Sequence, residues 1–245
     1  MSDLIANWPA PSNISAVTTT RLKGSSRPPY NGNNLGLHVG DQDELVHHNR
    51  SELAKRLLLP NQPAWLNQTH TNHCVIAEDD PNRDADAAIT RSKSHPLAIM
   101  TADCLPILLC DSAGTEIAAV HAGWRGLLNG IVENTLNKMH AKPDTLLAWI
   151  GPAICSHCYA TGQEVRDAYI SRYPYTLNAF HHKASSMHAD LPKLAELILY
   201  ASGVNAVYQS GICTFESEKQ FYSYRREAQT GRMATLIWFN QGERT

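Results

Sequence analysis

No apolar run in this chain approaches the roughly 18–20 residues that cross a bilayer. Its first residues, Met1 to Pro11, hold acidic and polar residues and two prolines, with no basic stretch ahead of an apolar one. A membrane span and a secretory leader are therefore not expected. There is no run of five basic residues, and 21 basic residues against 23 acidic ones leave a net charge of −2. The electrostatic footprint that nucleic acid or an anionic membrane requires is missing. Internal repeats and low-complexity tracts are absent as well, and no change of composition marks a linker.

Several catalytic signatures are also missing. There is no Gly-x-Ser-x-Gly elbow, no phosphate-cradling Walker loop and no Gly-x-Gly-x-x-Gly fingerprint. The zinc deaminase pattern His-x-Glu…Pro-Cys-x-x-Cys is absent, since His121 is followed by Ala122 and Gly123. Multinuclear copper clusters use repeated His-x-His pairs, and none of the 12 histidines forms one. Cys155-Ser156-His157-Cys158 has metal-knuckle spacing, but no second Cys-x-x-Cys accompanies it. It reads as two ordinary thiols near a loop. The six cysteines, with no export signal, read as thiols or ligands in a cytoplasmic protein.

What is present is enough apolar material for a sizeable core: 245 residues, 43% of them hydrophobic. Short runs rich in β-branched or aromatic residues predict strands at Ile14–Thr20, Ala64–Gln68, Cys74–Ala77, Leu97–Met100, Leu105–Cys110, Ile117–Val120, Leu146–Ile150, Ala206–Tyr208 and Ala234–Phe239. Helical spacing predicts a helix over Asp43–Leu58, another through Leu127, Ile131, Leu136 and Met139, a third around Val165 and Tyr169, and a fourth around Leu194 and Ile198. Strands and helices mix without strict alternation. The expectation is an α/β chain of one domain, residues 1–245, with a β-sandwich-like mixed sheet core and helices packed outside.

The stretch from Leu97 to Asn129 is the most informative. Two apolar runs flank Asp111-Ser112-Ala113-Gly114, which predicts a β-hairpin. If Cys110 pairs with Thr115, the ladder brings Cys104 opposite His121, and opposed residues share one face about 4.5–5.5 Å apart. A thiol and an imidazole so placed suit one metal ion or a nucleophile–base dyad. Pro106, without a ladder donor, is the position at which a bulge would shift this register. After His121, Ala122-Gly123-Trp124-Arg125-Gly126 leads into a helical pattern. Its free amides and Arg125 suit an anion such as phosphate, although two glycines also serve a bare tight turn. His70 lies just past a predicted strand in Gln68-Thr69-His70-Thr71-Asn72-His73, and His73 competes with it as a ligand.

The blocks TTRLKGSS, NLGLHVGD, QTH, TADCLPILL, AAVHAGWRGLLNGIVENT, AWIGPAI and FYSYRREAQTGRMA resemble the YfiH family, also called laccase-domain or polyphenol-oxidase-like. The likeness runs from about Thr18 to Trp238. It implies a YfiH-like or cysteine-hydrolase-like fold, and a zinc site (copper less favoured) at His70, Cys104 and His121. It further implies phosphorolysis of adenosine, inosine and methylthioadenosine, and deamination of adenosine. The same likeness raises Arg21, Asn34, Arg125 and Arg226 as phosphate or substrate contacts. Thr69 and Thr71 replace the valine and glycine usual around the first histidine. Arg21-Leu22-Lys23-Gly24-Ser25-Ser26 departs from Arg-x-Gly-Gly-x-Ser, and Cys155 stands where the family has glycine. These changes leave the three ligand positions alone and bear on pocket shape.

Two other functions fit the same residues. One is a Cys–His amidohydrolase, with Cys104 as nucleophile, His121 as base and His70 orienting, that removes a misplaced L-serine from a nucleotide-linked muramyl precursor. The other is a metal-binding protein without catalysis, whose site His73 would close as fourth ligand.

Overall fold

In the computed structural model, which describes residues 3–240, two β-sheets lie face to face. Residues 1–2 and 241–245 of the expected domain lie outside the described residues. The first sheet has the order Leu4–Ile5, Ile14–Thr18, Met233–Phe239, Leu97–Thr101, Ala64–Trp65. The second has the order Ala206–Gln209, Leu146–Ile150, Leu105–Asp111, Ile117–Ala122, Ala87–Thr90, Cys74–Ile76. Both are mixed: Ala64–Trp65, Cys74–Ile76 and Ala206–Gln209 pair in parallel with their neighbours, and the remaining ladders are antiparallel. A small third sheet joins Ala160–Thr161, Ser186–Ala189 and Phe180–Lys183.

The strand sequences explain the layering. Leu108, Cys110, Ile117, Ala119 and Trp149 point inward against Ile14, Ile99, Ile237 and Phe239 of the facing sheet. Their alternates, Ile107, Leu109, Val120 and Ile150, point the other way and pack under helices. Strands buried on both faces read as continuous apolar runs, which is why these were legible as strands but not as alternating ones. The covering helices are α1 (Asp43–Arg56), α2 (Trp124–Leu128), α3 (Ile131–Lys138), α4 (Gln163–Arg172) and α5 (Leu191–Ala201). Leu53 of α1 closes the outer face of the first sheet against Val17, Ala98 and Leu236, and residues of α3, α4 and α5 close the second. No helix among the described residues is long and apolar enough to cross a membrane.

Two expectations need correction. The helical pattern after His121 is not one helix: Gly130, at φ 91°, separates five-residue α2 from α3. The hairpin register is also two residues away from the expected one. Cys110 pairs with Ile117 and Pro106 with His121, without a bulge. Asp111 causes the shift. Its carboxylate accepts from the Thr115 amide (2.6 Å), the Thr115 hydroxyl (2.7 Å) and the Glu116 amide (2.8 Å), so the loop closes one pair later. Pro106 is tolerated because the His121 amide turns away from it, donating to the Asp86 carbonyl at 2.7 Å. An even shift keeps every side chain on its face, so Cys104 and His121 remain neighbours on one side, diagonal instead of opposed.

Candidate active site

Cys104 sits one residue before the strand Leu105–Asp111, after Asp103, whose φ of 97° turns the chain sharply. A non-glycine residue in that region needs external support. Buried Asp103 has it: its carboxylate accepts from the Thr214 hydroxyl (2.7 Å), the Ser223 hydroxyl (2.9 Å) and the Arg225 amide (2.7 Å). Asp103 thus faces away from the site, as strand alternation predicts, and fixes where the thiol points.

His121 lies near the end of its strand and is buried. Its Nδ1 is bonded to Asp86 Oδ1 at 2.7 Å, which turns Nε2 toward Cys104. Asp86 also holds the third member. It accepts from the amides of Thr69 (3.3 Å), His70 (3.1 Å) and Thr71 (2.6 Å), and from the Thr71 hydroxyl (2.8 Å). Three successive amides converging on one carboxylate hold His70 at φ 62°. Its Nε2 lies 3.7 Å from Cys104 Sγ, and its ring stands edge-on to that of His121 with centroids 4.8 Å apart. Thr71, one of the departures from the family pattern, therefore contributes a hydroxyl that glycine lacks.

His73 is directed elsewhere, its Nδ1 on the Asp84 carbonyl at 2.9 Å. The group brought together is His70, Cys104 and His121, with all donor atoms within 4.8 Å of one another. Gly123 is a steric condition of that group: a Cβ there would stand 2.6 Å from His70 Cδ2 and 3.2 Å from Cys104 Sγ. The carbon-free side of Gly123 is the space in which these two side chains meet.

The charges are coupled. Burial raises the Cys104 thiol pKa, but hydrogen bonds from His121 and His70 outweigh it and bring it down to about 6. Burial lowers His121, while Asp86 and Cys104 together raise it to about 9. Burial likewise works against the Asp86 charge, yet His121 and Thr71 hold that carboxyl below the usual range. A thiolate beside an imidazolium is the metal-free state this favours. One thiolate and two imidazoles, one of them fixed from behind by a carboxylate, also form a donor set that fits a zinc-like cation. Three protein ligands leave one tetrahedral position.

The other predicted residues each have partners of their own. Arg125 is exposed and stacks over the Trp124 ring at 4.2 Å, at the start of a helix too short to present a strong dipole. Arg21 lies over the Tyr222 ring at 4.9 Å and donates to the Glu218 carbonyl at 3.3 Å. The amide of buried Asn34 is bound to Gly36, Asp41 and Arg232. The Arg226 guanidinium donates to the carbonyls of Thr214, Phe215 and Phe221 (3.1, 2.8 and 2.8 Å), clamping a loop. Two arginines not raised as phosphate contacts from the sequence are also in the neighbourhood of the thiol. Half-buried Arg232 is close enough for the Cys104 charge to act on it. Arg225 stacks over the Tyr159 ring at 5.1 Å, and that tyrosine is pushed up to about 12 by burial and by the Cys104 charge.

Comparison with known proteins identifies the family. The family model described as multi-copper polyphenol oxidoreductase laccase matches residues 15–240. The purine nucleoside phosphorylase of Pseudomonas aeruginosa is 44% identical over 96% of this chain and 97% of its own length. Escherichia coli YfiH, also named a purine nucleoside phosphorylase, is 41% identical over 97% of this chain and 99% of its own. A Neisseria meningitidis crystal structure superimposes with a TM-score of 0.94 at 43% identity, covering 98% of this chain and 100% of that one. YlmD from Geobacillus stearothermophilus gives 0.85 at 29% identity, covering 94% and 93%. The family model, these relatives and the shared mixed α/β fold together place the chain in the YfiH family, the laccase-domain family whose curated relatives are named purine nucleoside phosphorylases.

Proposed function

We propose that this protein is a zinc-dependent purine nucleoside phosphorylase that accepts adenosine, inosine and methylthioadenosine, and that it also deaminates adenosine. The observation that carries the reading is the Cys104–His121–Asp86 chain with His70 at its mouth, in a protein more than 40% identical to relatives bearing that name. His70, Cys104 and His121 would hold the metal. A divalent cation there supplies Lewis acidity.

The chain's own residues supply the rest. Asp86 fixes the His121 tautomer, so that Nε2 and not Nδ1 faces the centre. Arg125, Arg225 and Cys104 all act electrostatically on Tyr159, and the Cys104 charge acts on Arg232, so these arginines are the candidates to hold a phosphate dianion against the ribose. In phosphorolysis a phosphate oxygen forms a bond to the anomeric carbon as the carbon–nitrogen bond to the purine breaks, and the base leaves with one proton. Positioning and charge stabilisation carry most of that barrier reduction. In deamination water adds to the purine ring carbon and ammonia leaves. Six unpaired cysteines support a reducing, cytoplasmic setting.

The thiolate–imidazolium pair supports a second reading. Cys104, His121 and Asp86 have the order of a nucleophile, base and orienting carboxylate, as a Cys–His amidohydrolase acting on a seryl-muramyl precursor requires. One experiment separates the two. Purified protein is analysed for metal and assayed on inosine and adenosine with and without phosphate, and then on the seryl amide. Phosphate-dependent release of ribose 1-phosphate that disappears in Cys104→Ala is expected. Metal-free protein that cleaves the amide and leaves nucleosides intact would overturn the phosphorylase reading.

A further inference from the structure

Cys155 and Cys158 are not isolated thiols. The loop that follows the strand Ala206–Gln209 brings Cys213 and Glu216 against them, and the four donor atoms all lie within 4.8 Å of one another. The missing second half of the Cys-x-x-Cys motif is therefore a Cys-x-x-Glu, invisible to a search for cysteine pairs.

We infer that Cys155, Cys158, Cys213 and Glu216 form a second metal site, a closed tetrahedral S3O site for zinc. The backbone is already arranged as two facing knuckles. The Cys158 amide donates to the Cys155 carbonyl at 3.1 Å, and the Ser217 amide to the Cys213 carbonyl at 3.0 Å. Cys155 N–H points at Cys213 Sγ at 3.3 Å, the outer hydrogen bond that stabilises a ligating thiolate. Cys158 Sγ lies 3.6 Å from Glu216 Oε1. Around a zinc with Zn–S near 2.3 Å, ligand atoms sit about 3.5–3.8 Å apart, so the groups need little movement. Three soft sulfurs select zinc over magnesium or calcium, and four protein ligands leave no open position for substrate. Each thiol releases its proton to solvent as the metal binds.

The site lies behind the first one. Ala153 and Cys213 form a parallel bridge, and the Thr214 amide donates to the Ala153 carbonyl at 3.1 Å. The Ile154 amide donates to the Asp103 carbonyl at 3.0 Å, and the Thr214 hydroxyl to the Asp103 carboxylate. Both knuckles therefore hold the residue that aims Cys104. Zinc here staples the two segments that support the strained Asp103 turn.

The test is metal stoichiometry on full-length protein purified under reducing conditions. The wild type is expected to hold two zinc ions, and Cys104→Ala/His121→Ala is expected to keep one. Cobalt substitution of that double variant is expected to give an intense sulfur-to-cobalt charge-transfer band from three thiolates. Adding Cys158→Ser is expected to abolish the remaining ion. Should that variant fail to fold, Glu216→Gln serves instead, with zinc affinity lowered by more than the roughly 10–100-fold typical of an outer-shell change. A double variant that folds, has reduced thiols and holds no zinc overturns the inference. So does a Cys155–Cys158 disulfide in the wild type as isolated, or zinc affinity unchanged by Glu216→Gln.

Discussion

Asp86 and His121 are joined twice, side chain to side chain at 2.7 Å and backbone to backbone at 2.7 Å. The same carboxylate gathers the amides of residues 69–71, so one buried acid positions both histidines of the centre. Asp86→Asn keeps the volume but puts an amide where His121 needs an acceptor charge. Zinc affinity at the first site is expected to fall roughly 10–100-fold, as measured by chelator competition. An unchanged affinity would mean that the carboxylate orients nothing.

The thiol makes a prediction about pH. In chelator-stripped protein the Cys104 pKa of about 6 means that the thiolate persists from alkaline pH down to about 6 and is lost below it. Alkylation of Cys104 by iodoacetamide should follow that curve. His121→Ala removes the largest favourable partner while burial remains, so the midpoint should move upward, toward the ordinary thiol range. Peptide mapping at a series of pH values reads both curves.

Gly123→Ala tests the steric condition. Its backbone, at φ −64°, accepts alanine without strain. The new methyl group, however, meets the His70 ring at 2.6 Å. The expected result is a folded protein of near wild-type stability with weakened zinc binding. A variant with full metal affinity would show that His70 is free to move aside.

The two classes of arginine separate by what is lost. Arg226→Ala removes three donors to backbone carbonyls and should destabilise the fold by about 2–3 kcal/mol, lowering Tm by roughly 4–12 °C. Arg125→Ala removes an exposed group and should leave Tm within a few degrees while raising KM for phosphate. Thermal denaturation beside steady-state kinetics distinguishes them.

Much of this was legible in the sequence. The strands buried on both faces announced themselves as apolar runs, and the Asp111–Gly114 turn located the hairpin. Its register escaped because the Asp111 side chain, a tertiary detail of the loop, sets where pairing begins. His70 could not be told from His73, because the choice is made by a carboxylate 16 residues away that draws in the amides around His70. Asp86 itself left one signal, an acid immediately before the apolar run that becomes the strand Ala87–Thr90. Arg226 looked like a phosphate ligand by family position, and only folding shows its guanidinium bound to a loop. Glu216 was hidden because a knuckle can end in a carboxylate as well as a thiol.

The most direct test of the centre is 31P NMR of inosine and inorganic phosphate incubated with zinc-loaded protein. The account predicts a ribose 1-phosphate resonance growing in equal amount with free hypoxanthine in the wild type, and its absence in Cys104→Ala of retained fold. Hypoxanthine released without ribose 1-phosphate, or an undiminished rate in Cys104→Ala, would contradict it.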